Sequence, residues 1–273
     1  MSSVPAVKMH VGCAMWTHPA WPVHDGLRSY ADWCNAVEGN TTFYATPAAS
    51  TVASWARQTS PDFRFLLKLP KTITHERRLS DVAGLVRSFL DTIEPLGARA
   101  HALWVQLPAS FGPPDLGALA AFLRRMPREY RTAVEVRHPA FFAEPGRLER
   151  VLGDAGAEWV LFDTTVLFDA APNSPAEEEA WQKKPRLPRR SQALGAHPVV
   201  RYIGRDDDAR TVEGWHHWLD TVVGWLREGR SPTVFVHTPD NAHALVLARR
   251  FHDEVRARLP QLEPLPTGPL TLW

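Results

Sequence analysis

Seven ionisable residues stand inside stretches that otherwise read as buried strand. They are Glu38 in AVEGNTTFY, Lys68 in RFLLKLP, Glu135 and Arg137 in TAVEVRHP, Asp163 in EWVLFDT, Arg201 in PVVRYIG and His237 in TVFVHTP. Carboxylates in such places can act as general acids or bases, or can hold a divalent cation. Arginine offers a carboxylate or phosphate two parallel hydrogen bonds, and lysine offers a point charge. A desolvated lysine can also attack a carbonyl group, although the neighbouring acids would keep Lys68 charged. Glu38, Lys68, Glu135 and Asp163 are therefore the candidate catalytic residues.

Residues so far apart in the chain meet only if the fold gathers them. Eight β-rich runs recur in order, at 9–16, 36–44, 64–70, 102–108, 132–139, 158–164, 198–204 and 233–239. Segments with apolar spacing of three and four lie between them. Examples are Leu85, Phe89, Ile93 and Leu96; Leu116, Leu119, Phe122 and Leu123; and Trp215, Trp218, Val222 and Trp225. That spacing marks helices with one buried face. Eight strands alternating with helices in 273 residues predict an α/β fold, a (β/α)8 TIM barrel filling residues 1–273 as one domain. A doubly wound sheet is the alternative, but no Gly-rich dinucleotide fingerprint follows the first strand. The Pro- and charge-rich segment 169–197 predicts a long insertion after the sixth strand, with little burial in the core.

Alternate strand residues face the surrounding helices or the barrel axis. One parity is apolar: Val11 and Cys13, Val37 and Phe43, Phe65 and Leu67, Val105, Val134, Val160 and Phe162, Val234 and Val236. The other carries Glu38, Asn40, Lys68, Trp104, Gln106, Glu135, Arg137, Asp163, Arg201 and His237. Their polar members crowd the later half of each strand, the end where barrel active sites are built.

Three acids facing three bases could form a closed structural network. Buried pairs of this kind rarely stabilise more than apolar replacements would, so six charges in one mouth favour a site. An obligatory metal is not expected, because three cations share the mouth and no HxH or HExxH pair is present. A small anion is the expected ligand, held by Lys68, Arg137 and Arg201 with His75 at the rim. Trp16, Trp21, Trp104 and Tyr44 are candidates to stack on a sugar or base, against the simpler reading that the tryptophans are core. The phosphate position common in such barrels follows the last two strands, where Gly204 and Arg205 favour an anion and Asp206, Asp207 and Asp208 oppose it. Asp240 is read there as a helix N-cap. The basic run KKPRLPRR reads as a solvated loop beside EEE.

The segments VEGNTTFYATP, WARQTSPDFRFLLKLPKTITHERRL, VQLPASF, AVEVRHPAFF and LFDT resemble the DUF72 (YecE-like) family across nearly the whole chain. The resemblance implies a TIM-type barrel and no established activity. The matching polar positions are Glu38, Asn40, Thr42, Tyr44, Lys68, His75, Gln106, Glu135, Arg137, His138, Asp163 and Arg201. Near the last strand many relatives carry an Asn-Asn pair; here HTPDN leaves only Asn241 as a partial match. The candidate ligand-binding set is thus Asn40, Tyr44, His75, Gln106, Arg137, His138, Arg201, His237 and Asn241.

Bulk properties narrow the function classes. A formal net charge of +1 speaks against a protein that grips long nucleic acid. The two cysteines, Cys13 and Cys34, predict reduced thiols and a cytoplasmic setting. No leader-like or membrane-length apolar run is seen. The favoured function is an enzyme (a general acid/base hydrolase, lyase or isomerase) or a binder for a small anionic, phosphorylated or carboxylate, sugar-like ligand. A nucleic-acid-processing barrel similar in plan to endonuclease IV, and a non-catalytic binding protein, are the alternatives.

Overall fold

The computed structural model describes residues 7–266. Nine parallel strands form one sheet that curls into a nearly closed barrel: β1 His10–Cys13, β2 Ala36–Gly39, β3 Arg64–Lys68, β4 Ala100–Gln106, β5 Arg131–Glu135, β6 Glu158–Trp159, β7 Leu161–Asp163, β8 Val199–Ile203 and β9 Thr233–His237. Neighbours follow chain order from β1 to β6, and β1 also pairs with β9, β9 with β8 and β8 with β7. Eight strand runs are thus found where the alternation places them, the sixth in two pieces. The break is at Val160: β6 pairs with β5 and β7 with β8, so this one run joins the two edges of the sheet.

The interior is packed by residues two apart along each strand. Ala36, Leu66, Ala102, Trp104, Ala133, Val160, Val199 and Phe235 form a dry plug. Small side chains on β2, β4 and β5 leave room for Trp104, whose ring lies 5.9 Å from that of Phe235. Outside the barrel, Val11, Val37, Phe65, Leu67, Val105, Val134 and Val236 pack under the helices. Close approach fixes one residue type: a Cβ on Gly12 would sit 1.9 Å from the Ala36 carbonyl oxygen, so β1 tolerates only glycine beside β2.

Several expectations need correction. The second run ends at Gly39, and Thr41–Tyr44 is a helical turn, so Phe43 joins the rim instead of the helix layer. On the sixth run the parity is reversed. Val160 belongs to the interior plug and Phe162 to a cluster with Leu167 and Ile203, whereas Trp159 and Leu161 face the helices. In the helix Ala83–Ile93 the buried face carries Val86, Phe89 and Ile93, and Leu85 is exposed.

Residues 169–197 are mostly exposed or half-buried, as expected, but Glu177, Ala180 and Leu187 anchor the segment. Ser174 caps the helix Pro175–Lys183, its hydroxyl accepting from the Glu177 amide at 3.1 Å. Glu177 is fully buried and meets Arg205 at 2.6 Å. Ala180 and Leu187 are buried against Phe162, Leu167 and Ile203. The segment therefore straps across the C-terminal mouth with apolar residues tucked inward. Among the described residues, no helix is long and apolar enough to cross a membrane.

Candidate functional site

Strand parity lifts a polar layer directly above the apolar plug. Ala36 is followed inward by Glu38, Leu66 by Lys68, Trp104 by Gln106, Ala133 by Glu135, Val199 by Arg201 and Phe235 by His237. Glu38 is the hub. One carboxylate oxygen lies 2.6 Å from Lys68 Nζ, and the other accepts from Arg201 Nε at 3.0 Å and contacts His237 Nε2 at 2.8 Å. Lys68 also donates to Gln106 Oε1 at 2.8 Å. Glu135 accepts from Arg137 Nε at 2.7 Å, has Arg137 Nη2 within salt-bridge distance at 2.7 Å, and lies 3.6 Å from Arg201 Nη1. Trp104 forms the floor, with Lys68 Nζ 5.2 Å and the Arg201 guanidinium 5.8 Å from its ring centre, within cation–π range.

The charge states follow from burial and pairing. Burial alone would raise the Glu38 carboxyl, but Arg201, Lys68 and His237 outweigh it and hold the group well below the usual range. Glu135 is likewise held at about 2 by Arg137, Arg201 and Lys68, against burial. Both are carboxylates at neutral pH. Burial, and then Arg201, pull Lys68 down to about 8 despite Glu38 and Glu135. Burial lowers His237 to about 4, so it is neutral beside Glu38.

Above this layer lies a cavity of about 580 Å³. Asn40, Tyr44, Lys68, Gln106, Arg137, Arg201, His237 and Asn241 reach its wall. The Asn40 amide is fixed by donating to the Ala14 carbonyl at 2.8 Å. Tyr44 stands at the rim, 73% exposed. Asn241 adopts a left-handed backbone (φ 59°), and its carbonyl accepts from Trp21 Nε1 at 2.9 Å. Trp21 and Trp104 are buried, and Trp16 lines the cavity.

Three expected members stand elsewhere. Asp163 points outward from β7, where it accepts from the Thr165 amide at 2.8 Å and from Trp218 Nε1 at 2.8 Å. The reversed parity of the sixth run is the reason. His138 turns back on its own chain, its Nδ1 accepting from the Ala140 amide at 3.2 Å. His75 packs edge-on against Phe43 at 5.0 Å and bonds Thr74, behind the rim.

The phosphate position after the last two strands is closed. Arg205 is turned to Glu177 and the carbonyls of Ala170 and Ala171. Asp206 accepts from Ser174 at 2.5 Å and from the Asp240 amide at 3.0 Å, and Asp207 caps the next helix through the Arg210 amide. Asp240 accepts from the Ala242 amide in a turn, and the helix Ala244–Arg258 begins after His243, so Asp240 is not its N-cap. Among the described residues, no group of three His, Cys, Asp or Glu side chains could hold a metal ion.

Sequence reasoning missed Lys184. It belongs to the run assigned to a solvated loop, yet it is half-buried on the cavity wall. Burial, and then Arg201, pull it to about 7, with Glu38 opposing. The neighbouring Lys183 is exposed and paired with Glu179. Pro185 stops the helix Pro175–Lys183 at this point, but nothing in the run KKPRLPRR marks Lys184 off from its neighbours.

Comparison with known proteins agrees with this architecture. A family model described as "Protein of unknown function DUF72" matches residues 10–270. Two Escherichia coli proteins named UPF0759 protein YecE, from O157:H7 and K12, are each 39% identical over 267 residues, covering 96% of this chain and 97% of the relative. A crystal structure of a DUF72 family protein from Enterococcus faecalis V583 superposes with a TM-score of 0.70 at 15% identity, covering 97% of this chain and 100% of that one. Another, from Thermotoga maritima MSB8, gives 0.69 at 21% identity, covering 91% and 99%. Matched along almost its whole length, the chain belongs to the DUF72 family.

Proposed function

We propose that the protein binds a small anionic metabolite, phosphorylated or carboxylate, in the cavity at the C-terminal mouth, and acts on it there. One observation carries this reading. Lys68, Arg137 and Arg201 face only two carboxylates, Glu38 and Glu135, and Lys184 adds a fourth basic group with no carboxylate within salt-bridge distance among the described residues. An uncompensated buried cation is costly unless an anion joins it. Glu38 and Glu135 stay ionised, so they act as positioning groups. Lys68, pulled down to about 8, is charged at neutral pH and is the group suited to give a proton.

What weighs against a long nucleic-acid groove is the fate of the basic run. Lys183 pairs with Glu179 and Arg190 with Glu149, while Arg186 and Arg190 lie over Phe168 and Trp159.

The test is calorimetry with phosphorylated sugars, carboxylates, nucleotides and short oligonucleotides, with thermal melts alongside. Arg137, 19% exposed at the cavity edge, should matter most for the ligand. Arg137→Ala is expected to weaken anion binding by about tenfold to a hundredfold, the scale of one charge-assisted contact. If no anion binds the wild type and Arg137→Ala costs several kcal/mol of stability, the charges are a structural network and the reading is wrong.

A further inference from the structure

Two lysines share this mouth, and their surroundings differ. Lys68 Nζ is gripped by Glu38 at 2.6 Å and by Gln106 at 2.8 Å, so its lone pair is not offered to a ligand. Lys184 has no acidic partner within 4 Å among the described residues, yet it forms part of the same cavity wall. Its backbone is fixed on both sides: the Lys184 amide donates to the Ala180 carbonyl at 2.8 Å, and the Pro185 carbonyl accepts from Thr164 Oγ1 at 3.1 Å. Leu187, just beyond, is buried against Phe162, Leu167 and Ile203. The result is an anchored chain with an unclaimed amine. The charges felt there are those of Arg201, Glu38, Arg137 and Lys68, so three cations oppose its protonation.

We propose that Lys184 is the covalent amine of this site, forming a Schiff base with an anionic aldehyde or ketone such as a 2-oxo acid or a sugar phosphate. The inference rests on the anion reading above and adds the reacting group. The neutral Nζ attacks the carbonyl carbon; the carbonyl π pair moves to oxygen, and a proton passes from nitrogen to that oxygen to give a carbinolamine. Its hydroxyl takes one proton from solvent and leaves as water, and the nitrogen lone pair closes the protonated imine. The balance is one amine, one carbonyl and one proton in, and one imine cation and one water out. Arg137 and Arg201 hold the anionic end, and the imine cation draws electrons from the adjacent C–H or C–C bond, the step that isomerases and lyases require. Lysines of this kind work where neighbouring cations and desolvation keep the amine neutral.

The experiment is reductive trapping on the full chain. The protein is mixed with glyoxylate, pyruvate or glyceraldehyde 3-phosphate, reduced with cyanoborohydride, and mapped by tandem mass spectrometry. Lys184 is expected to label at least about tenfold faster than surface lysines at pH 7, with a rate that rises to a plateau above an apparent pKa near 7. Lys184→Arg should keep its melting temperature and lose the adduct. Uncharged glyceraldehyde should label Lys184 at least about tenfold more slowly than its phosphate, one charge-assisted contact being missing. Anion binding without selective labelling of Lys184 overturns this inference and leaves the anion reading standing. Equal labelling by charged and uncharged aldehydes overturns the assigned substrate class. Absence of both binding and labelling overturns the two together.

Discussion

Glu38 shows how much chemistry one residue type at one parity can carry. It is fully buried and contacts Lys68, Arg201 and His237, three side chains from three other strands. Its role as hub follows from position alone: two residues beyond Ala36 on β2, it enters the first layer above the plug. Removing it would leave Lys68 and Arg201 buried with only Gln106 and a 3.6 Å contact to Glu135. Glu38→Ala is therefore expected to cost about 3–5 kcal/mol in urea unfolding, the scale for orphaning a buried charge. A loss under 1 kcal/mol would mean that the pocket rehydrates freely and the network is looser than drawn. Glu38, Lys68, Glu135, Arg137 and Arg201 were legible in the sequence because a charge is conspicuous inside an apolar strand. Lys184 was not, because a lysine among KKPRLPRR has no pattern to set it apart.

Elements decide which of those charges meet. Parity counting works only while a strand keeps its pleat, and the sixth run bends at Val160 to reach both β5 and β8. Without pairing partners the run offers two parities, Val160 with Phe162 or Trp159 with Leu161, and both look apolar. The wrong one sends Asp163 inward. In fact it ties β7 to the helix His216–Arg227 through Trp218. Asp163→Ala should then lower stability by about 1–3 kcal/mol, since the Trp218 indole N–H loses its acceptor in a buried place. Anion affinity should change less than twofold. A large loss of affinity with unchanged stability would return Asp163 to the site. The strap has little burial, as its composition predicts, with Glu177, Ala180 and Leu187 as the buried exceptions. Its Pro and charge content resembles a solvated loop, but Glu177 reaches Arg205 and Leu187 reaches Phe162 across chain separations that composition does not encode.

At the scale of the whole barrel, both ends bury histidines away from their charged form, and this sets the protein's response to acid. The C-terminal end pairs Glu38 and Glu135 with Lys68, Arg137 and Arg201. The N-terminal end gathers His10, His101, His197 and Arg64, with His101 and His197 5.2 Å apart and Arg64 held by Ser231 and Thr233 instead of a carboxylate. β4 begins at Ala100 and β5 at Arg131, so His101 and Arg131 lie in strands at this end, beside His10 on β1 and Arg64 on β3. Burial, then Arg64, pulls His10 to about 3 and His101 to about 2, and burial with Arg131 pulls His197 to about 4. At the other end burial takes His237 to about 4. Each folded value lies below the ordinary 6.5, so between those values and pH 6.5 the unfolded chain binds more protons than the folded one. Stability must then fall as pH falls through that window. Glu38 and Glu135 act in the same direction lower down: their stabilisation is present above the ordinary 4.5 and is lost as pH drops towards their folded values. The urea midpoint is expected to decline steadily from pH 7 to pH 4.5. A histidine as buried as His101 contributes a slope of up to about 1.4 kcal/mol per pH unit. His101→Gln should remove that increment, so the variant's midpoint should fall less steeply than the wild type's over the same range. Coincident midpoints for the wild type at pH 7 and pH 4.5 would show that these histidines take up protons without unfolding, through an opening of the N-terminal end to water.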